Sequence, residues 1–112
     1  MTARLAAGVL VSALIRRVEA TGGSGMVLAR GDPVSGAILL VILDRGRTLA
    51  VLQRTLDAEG RYRWAETGPA DPDAPGVLAD YIARQRRFDP DLWAVELDGP
   101  DARAIADEMT GG

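Results

Sequence analysis

Apolar positions in this chain recur with two different periods, and the change between them marks out the elements. From Ala3 to Val18 the spacing is helical. Val11, Leu14, Ile15 and Val18 form a stripe that Leu10 and Ala7 extend. Gly8 weakens the first turns, so residues 4–9 are expected to enter the helix from an extended start. Thr21-Gly22-Gly23-Ser24-Gly25 closes the helix as a C-cap and loop. The period then shortens. Met26 to Arg30 reads as a strand, and Gly31-Asp32-Pro33-Val34-Ser35-Gly36 as a punctuated loop.

Ala37 to Leu43 is the most apolar segment. It fits a strand buried on both faces, central in its sheet. Thr48 to Thr55 returns after a tight turn at Asp44-Arg45-Gly46-Arg47. A second turn, Asp57 to Gly60, leads to Arg61–Glu66, where Tyr62 and Trp64 share one face and Arg61 and Arg63 the other. These runs predict an antiparallel meander of about four strands.

Thr67 to Pro75 is a loop. Asp73 or Ala74 can cap a second helix with Pro75 in its first turn. Leu78, Tyr81, Ile82 and Gln85 form the inward face of that helix. Asp80, Arg84 and Arg87 face outward, with Asp80 and Arg84 spaced as an ion pair. Pro90 stops the helix. Leu92–Leu97 then alternates, with Trp93, Val95 and Leu97 facing the core. Phe88 and Trp93 are expected to be core anchors joining this helix to the sheet. Ala102, Ile105, Ala106 and Met109 give a short last helix, with an edge strand as the alternative. Thr110-Gly111-Gly112 is expected to fray.

The pattern predicts a single α+β domain over residues 1–112. Its antiparallel sheet has about five strands, with the N-terminal and second helices packed on one face. The apolar run Leu5–Ile15 is too short to span a bilayer. Arg16-Arg17 stands where a cleaved leader would carry small residues, so a buried helix is favoured over a targeting segment.

Composition narrows the chemistry. The chain has no Cys, no His and no Lys; its thirteen basic residues are all arginine. Thiolate and imidazole chemistry, Schiff bases and a phosphate-loop lysine are therefore excluded within it. Ser12, Ser24 and Ser35 have no His or Lys to activate them. The net charge of -3 counts against nonspecific binding to nucleic acid or anionic membrane. A cytoplasmic location is expected. Arg30-Gly31-Asp32 spells an adhesion tripeptide, read here as coincidence.

One stretch concentrates charge and rings. Arg84, Arg86 and Arg87 close the second helix, and Asp89 and Asp91 flank Pro90. Arg84, Arg87, Asp89 and Asp91 are the candidate ligand or partner surface. Two aspartates supply too few ligands for a tight metal site, and carboxylates beside arginines are expected to cap turns and form ion pairs. No catalytic residue, metal or cofactor is assigned. Arg61 and Arg63 with the helix-end arginines could meet phosphate. Tyr62 and Trp64 alternate onto the opposite face, which separates stacking from charge and counts against single-strand nucleic-acid binding.

Three segments resemble a family of short bacterial proteins known as domain of unknown function 1491. They are Leu14-Ile15-Arg16-Arg17, Arg30-Gly31-Asp32-Pro33 through Ser35-Gly36-Ala37-Ile38-Leu39, and Tyr81-Ile82-Ala83-Arg84-Gln85 with Phe88-Asp89-Pro90-Asp91-Leu92-Trp93. The resemblance runs to about Asp98. It implies a stand-alone domain and carries no activity. The function expected is a non-catalytic protein-interaction or regulatory module, with an unidentified protein partner or a homodimer. Two alternatives stand beside it: a small-ligand binder or enzyme using Arg and Asp near residues 84–91, and an RNA-binding protein.

Overall fold

A computed structural model describes residues 5–111. Residues 3 and 4 of the expected first element, and Gly112 of the expected loose tail, lie outside them. In chain order the elements are α1 (Ala7–Ala20), β1 (Ser24–Ala29), β2 (Ile38–Asp44), β3 (Arg47–Leu56), β4 (Tyr62–Thr67), α2 (Val77–Phe88), β5 (Trp93–Asp98) and α3 (Ala102–Glu108). The last segment is thus a helix and not an edge strand.

The five strands form one sheet in the order β1-β5-β2-β3-β4. It is mixed, which corrects the antiparallel expectation. β2, β3 and β4 do make an antiparallel meander. β1 does not join them, because β5 lies between β1 and β2, antiparallel to the first and parallel to the second. The reason is the connection through residues 68–92. A strand that re-enters a sheet in parallel needs a crossover connection, usually helical, and this segment carries α2. Burial decides the order. Trp93, Ala94 and Val95 are buried in succession, so β5 needs an inner position, whereas β1 is exposed along most of its length and takes the edge.

The helices do not share one face, a second correction. Parallel register sets Ile38 beside Trp93, Leu40 beside Val95 and Ile42 beside Leu97. These side chains meet Leu10, Leu14 and Val18 of α1 and Ile105 of α3 in the main core. The alternate residues face the other way, where Leu39, Val51 and Leu92 pack with Leu78, Tyr81 and Ile82 of α2. Alternation along a central strand that is apolar throughout leaves two faces to cover. The main core is the larger, and no side chain of α2 is fully buried.

Local chemistry differs from expectation at three ends. Asp73 does not cap α2. Its carboxylate accepts the Thr48 hydroxyl at 2.6 Å and the Thr48 N–H at 3.1 Å, fastening the 68–76 loop to β3. α2 begins instead after Gly76, whose positive φ of 76° suits glycine. Helix α1 begins at Ala7, inside the stretch 4–9 expected to be extended, and has no side-chain cap. The N–H groups of Ala7 and Gly8 donate to the carbonyls of Val34 and Pro33, at 3.1 and 2.9 Å. The tail does not fray at residues 110 and 111. Gly111 is buried, its carbonyl accepts the Leu5 N–H at 3.0 Å, and Arg54 donates to the Thr110 carbonyl at 3.2 Å.

Candidate functional site

The stretch around Pro90 is the joint that fastens α2 to the sheet. At its centre is Arg86. Its Nε donates to the Leu92 carbonyl at 3.1 Å, and Nη2 to the carbonyls of Arg30 at 2.8 Å and Pro90 at 3.2 Å. A planar fork of donors can serve several acceptors at once, which a lysine ammonium does less well. One side chain thereby ties the end of α2, the Pro90 turn and the exit of β1.

The loop from Gly31 to Gly36 packs on the same joint. Asp32 N–H donates to the Asp91 carbonyl at 3.0 Å, and the Trp93 indole N–H donates to the Asp32 carbonyl at 2.7 Å. A Cβ on either Gly31 or Gly36 would overlap the Asp91 carbonyl oxygen, so close approach requires glycine at both. The Asp32 carboxylate accepts N–H bonds from Ser35 at 2.7 Å and Val34 at 3.0 Å, and the Ser35 hydroxyl at 3.1 Å. Those bonds, led by the Ser35 N–H, hold its pKa below the ordinary aspartate value. The adhesion-like tripeptide is therefore part of a packed loop, and two of the segments that carry the resemblance meet here.

The four candidate residues do not form one constellation. The Asp89 carboxylate accepts the Asp91 N–H at 3.1 Å and so caps the turn as expected. Neither Asp89 nor Asp91 forms an ion pair with an arginine among the described residues, and Asp80 does not pair with Arg84. Arg84 and Arg87 are exposed. Phe88 is 84% exposed and is not a core anchor. The inward face of α2 is set by Leu78, Tyr81 and Ile82, and Phe88, the last residue of the helix, packs against neither core cluster. Trp93 is a core anchor, 4% exposed, with Arg30 over its ring at 5.7 Å. Among the described residues no three acidic groups converge as metal ligands would.

The arginines also divide. Arg61 and Arg63 sit at the β4 end of the sheet, whereas Arg84, Arg86 and Arg87 close α2 beside β1, the opposite edge. Arg63 approaches Asp57 at 3.7 Å. Asp57 has a lowered pKa, chiefly from the Arg61 backbone N–H. The ring of Tyr62 stacks with Arg54, 4.3 Å from the guanidinium carbon, and Trp64 donates to the Ala106 carbonyl of α3 at 2.7 Å.

Sequence reasoning missed a cleft of about 670 Å³ between β1 and α2. Leu28 and Ala29 form one wall, and Leu78, Ile82 and Ala83 the other. Arg86 and Arg87 stand at its end, while Asp89 and Asp91 are not among its lining residues. A register shift between Val27 and Ala29 marks a β-bulge, which turns both Leu28 and Ala29 towards the cleft. A smaller cleft of about 330 Å³ lies on the other face of β1, lined by Val9, Ile15, Val27, Arg30 and Trp93 among others. The available signal was weak: small alanines on the β1 side of α2, and an apolar strand at an edge.

Comparison with known proteins places the chain. The crystal structure of a DUF1491 family protein from Caulobacter crescentus is 32% identical, with a TM-score of 0.76, covering 90% of this chain and 94% of that one. An NMR structure of a DUF1491 family protein from the same organism is 30% identical, with a TM-score of 0.77 and 94% of each chain covered. A solution structure of a protein from A. tumefaciens is 29% identical, with a TM-score of 0.75 and 94% of each chain covered. No curated protein matches. The family described as "Protein of unknown function (DUF1491)" matches residues 5–107, and this chain belongs to it.

Proposed function

We propose that this chain is a non-catalytic interaction domain that receives a protein partner in the cleft between β1 and α2. The observation that supports this reading is the chemistry of the cleft. Its walls are Leu28, Ala29, Leu78, Ile82 and Ala83, it opens to solvent along one side, and its polar groups are the two arginines at its end. Exposed apolar surface with a charged border suits a partner better than a reaction, because exposed apolar area marks interaction sites. The enzyme reading needed Asp89 and Asp91 facing a pocket with arginines, and the Asp89 carboxylate is instead taken up by its own turn. A place in the cytoplasm fits this role.

The test is a comparison of captured partners. Wild type, Leu28→Asp and Ala83→Arg are used as bait in the source lysate, and bound proteins are identified by mass spectrometry. Both sites are partly exposed, so both variants should melt within about 0.5 kcal/mol of wild type. A partner bound by wild type and lost from both variants supports the reading. Equal capture by all three would refute it.

A further inference from the structure

Among the described residues β1 has a sheet partner on one side only, so alternate backbone N–H and C=O groups along its outer edge point away from the sheet. Native edge strands are commonly blunted by charge, and Ser24–Ala29 carries none. Met26 is 59% exposed, Val27 37% and Leu28 39%. The bulge at Leu28 limits the regular edge to residues 24–27.

A cleft flanks this edge on each face. Val27 lines the one beside α1, and Leu28 the one beside α2. Successive side chains of a strand laid along β1 would fall alternately to the two faces, and hence alternately into the two clefts. That is the arrangement by which sheet edges read extended peptides, with main-chain bonds giving affinity and pockets giving selectivity.

Both clefts end in arginine, Arg30 in one and Arg86 with Arg87 in the other, and neither is lined by a carboxylate. In a chain of net charge -3 this is a local reversal of sign. Nearby acids are otherwise engaged or directed elsewhere. Asp32 and Asp89 accept N–H groups of their own turns, and Asp91 and Glu96 line neither cleft. Arg30 and Arg87 have no carboxylate partner among the described residues.

From this geometry we infer that β1 is a β-augmentation site. It takes an extended, apolar segment of a partner protein, with neighbouring acidic residues at one end, one directed to Arg30 on one face and the next to Arg87 on the other. The inference rests on the cleft between β1 and α2 being an interaction surface and names the form of its occupant.

A random peptide library is selected on the wild-type chain and counter-selected on Leu28→Asp. Enriched peptides should carry consecutive apolar residues with Asp or Glu at one end. The best peptide is then N-methylated at alternate backbone nitrogens in two complementary patterns. One pattern should weaken binding at least ~10-fold and the other should not, because only alternate N–H groups of a paired strand face its neighbour. Arg30→Gln with Arg87→Gln should weaken binding of the acidic peptide and leave its Asn/Gln counterpart unchanged. Enriched peptides with apolar residues at helical spacing, basic peptides, no enrichment, or equal effects of the two methylation patterns would overturn the inference. So would a concentration-dependent dimer that Leu28→Asp dissociates, since a second copy would then occupy the edge. Failure here together with partner loss in the capture experiment would leave the cleft as an interface and remove only strand pairing.

Discussion

The guanidinium of Arg86 donates to the backbone carbonyl of Arg30 at 2.8 Å, so the last turn of α2 is tied to the exit of the edge strand. No side chain of α2 is fully buried, and this polar tie joins the packing of Leu78, Tyr81 and Ile82 on Leu39, Val51 and Leu92 in holding the helix in place. The walls of the larger cleft are positioned by the same bond.

Arg86→Met should therefore destabilise the chain by about 1–2 kcal/mol, since the carbonyls of Arg30, Pro90 and Leu92 lose a charged donor. Arg84→Met, two residues earlier and exposed, should change stability by no more than about 0.5 kcal/mol. Urea denaturation of the two variants checks this. Equal losses would show that Arg86 is not a specific tie.

Trp93→Ala should cost about 3–5 kcal/mol, because the ring is buried between α1 and the sheet. Trp93→Phe retains a ring and loses the indole N–H. It should cost about 1–2 kcal/mol, as the Asp32 carbonyl keeps its bond from the Gly36 N–H at 3.3 Å. Wild-type stability of the alanine variant in a denaturant melt would contradict the core role.

Phe88→Ser should leave stability within about 0.5 kcal/mol of wild type. The ring is 84% exposed, so its removal forfeits little packing. A loss above 2 kcal/mol by the same melt would mean that the ring is covered in solution.

Asp32 should make stability depend on pH in the acid range. Its folded-state pKa is depressed by the N–H bonds from Ser35 and Val34. The stabilisation is present above the unfolded value of about 3.9 and is lost as pH falls through the lower folded value. Asp32→Asn should thus melt at a lower temperature than wild type at neutral pH. The gap should close as pH drops below about 3.9. A gap that stays constant down to the lowest pH at which the chain folds would show that the carboxylate charge is not what matters.

Local sequence was enough to set the elements. The spacing of Leu10, Leu14 and Val18, the unbroken run Ile38–Leu43 and the alternation of Trp93, Val95 and Leu97 each depend on local period and burial, which neighbours in the chain encode. It determined the character of the joint too, since Pro90 stops α2 and Asp89 caps the turn. Of the candidate residues it named Arg84 and Arg87, while the bonds that fasten the joint belong to Arg86. Which of Arg84, Arg86 and Arg87 reaches the carbonyl of Arg30 depends on where α2 lies over the sheet. That position is fixed by contacts distant in sequence. The same reason separates Phe88 from Trp93: both are large rings, and only Trp93 stands on a strand whose face is covered. The parallel placement of β5, the division of the helices between two faces and the clefts beside β1 were decided by tertiary structure alone. Each depends on which strand neighbours which, and local propensity carries no information about a partner far along the chain.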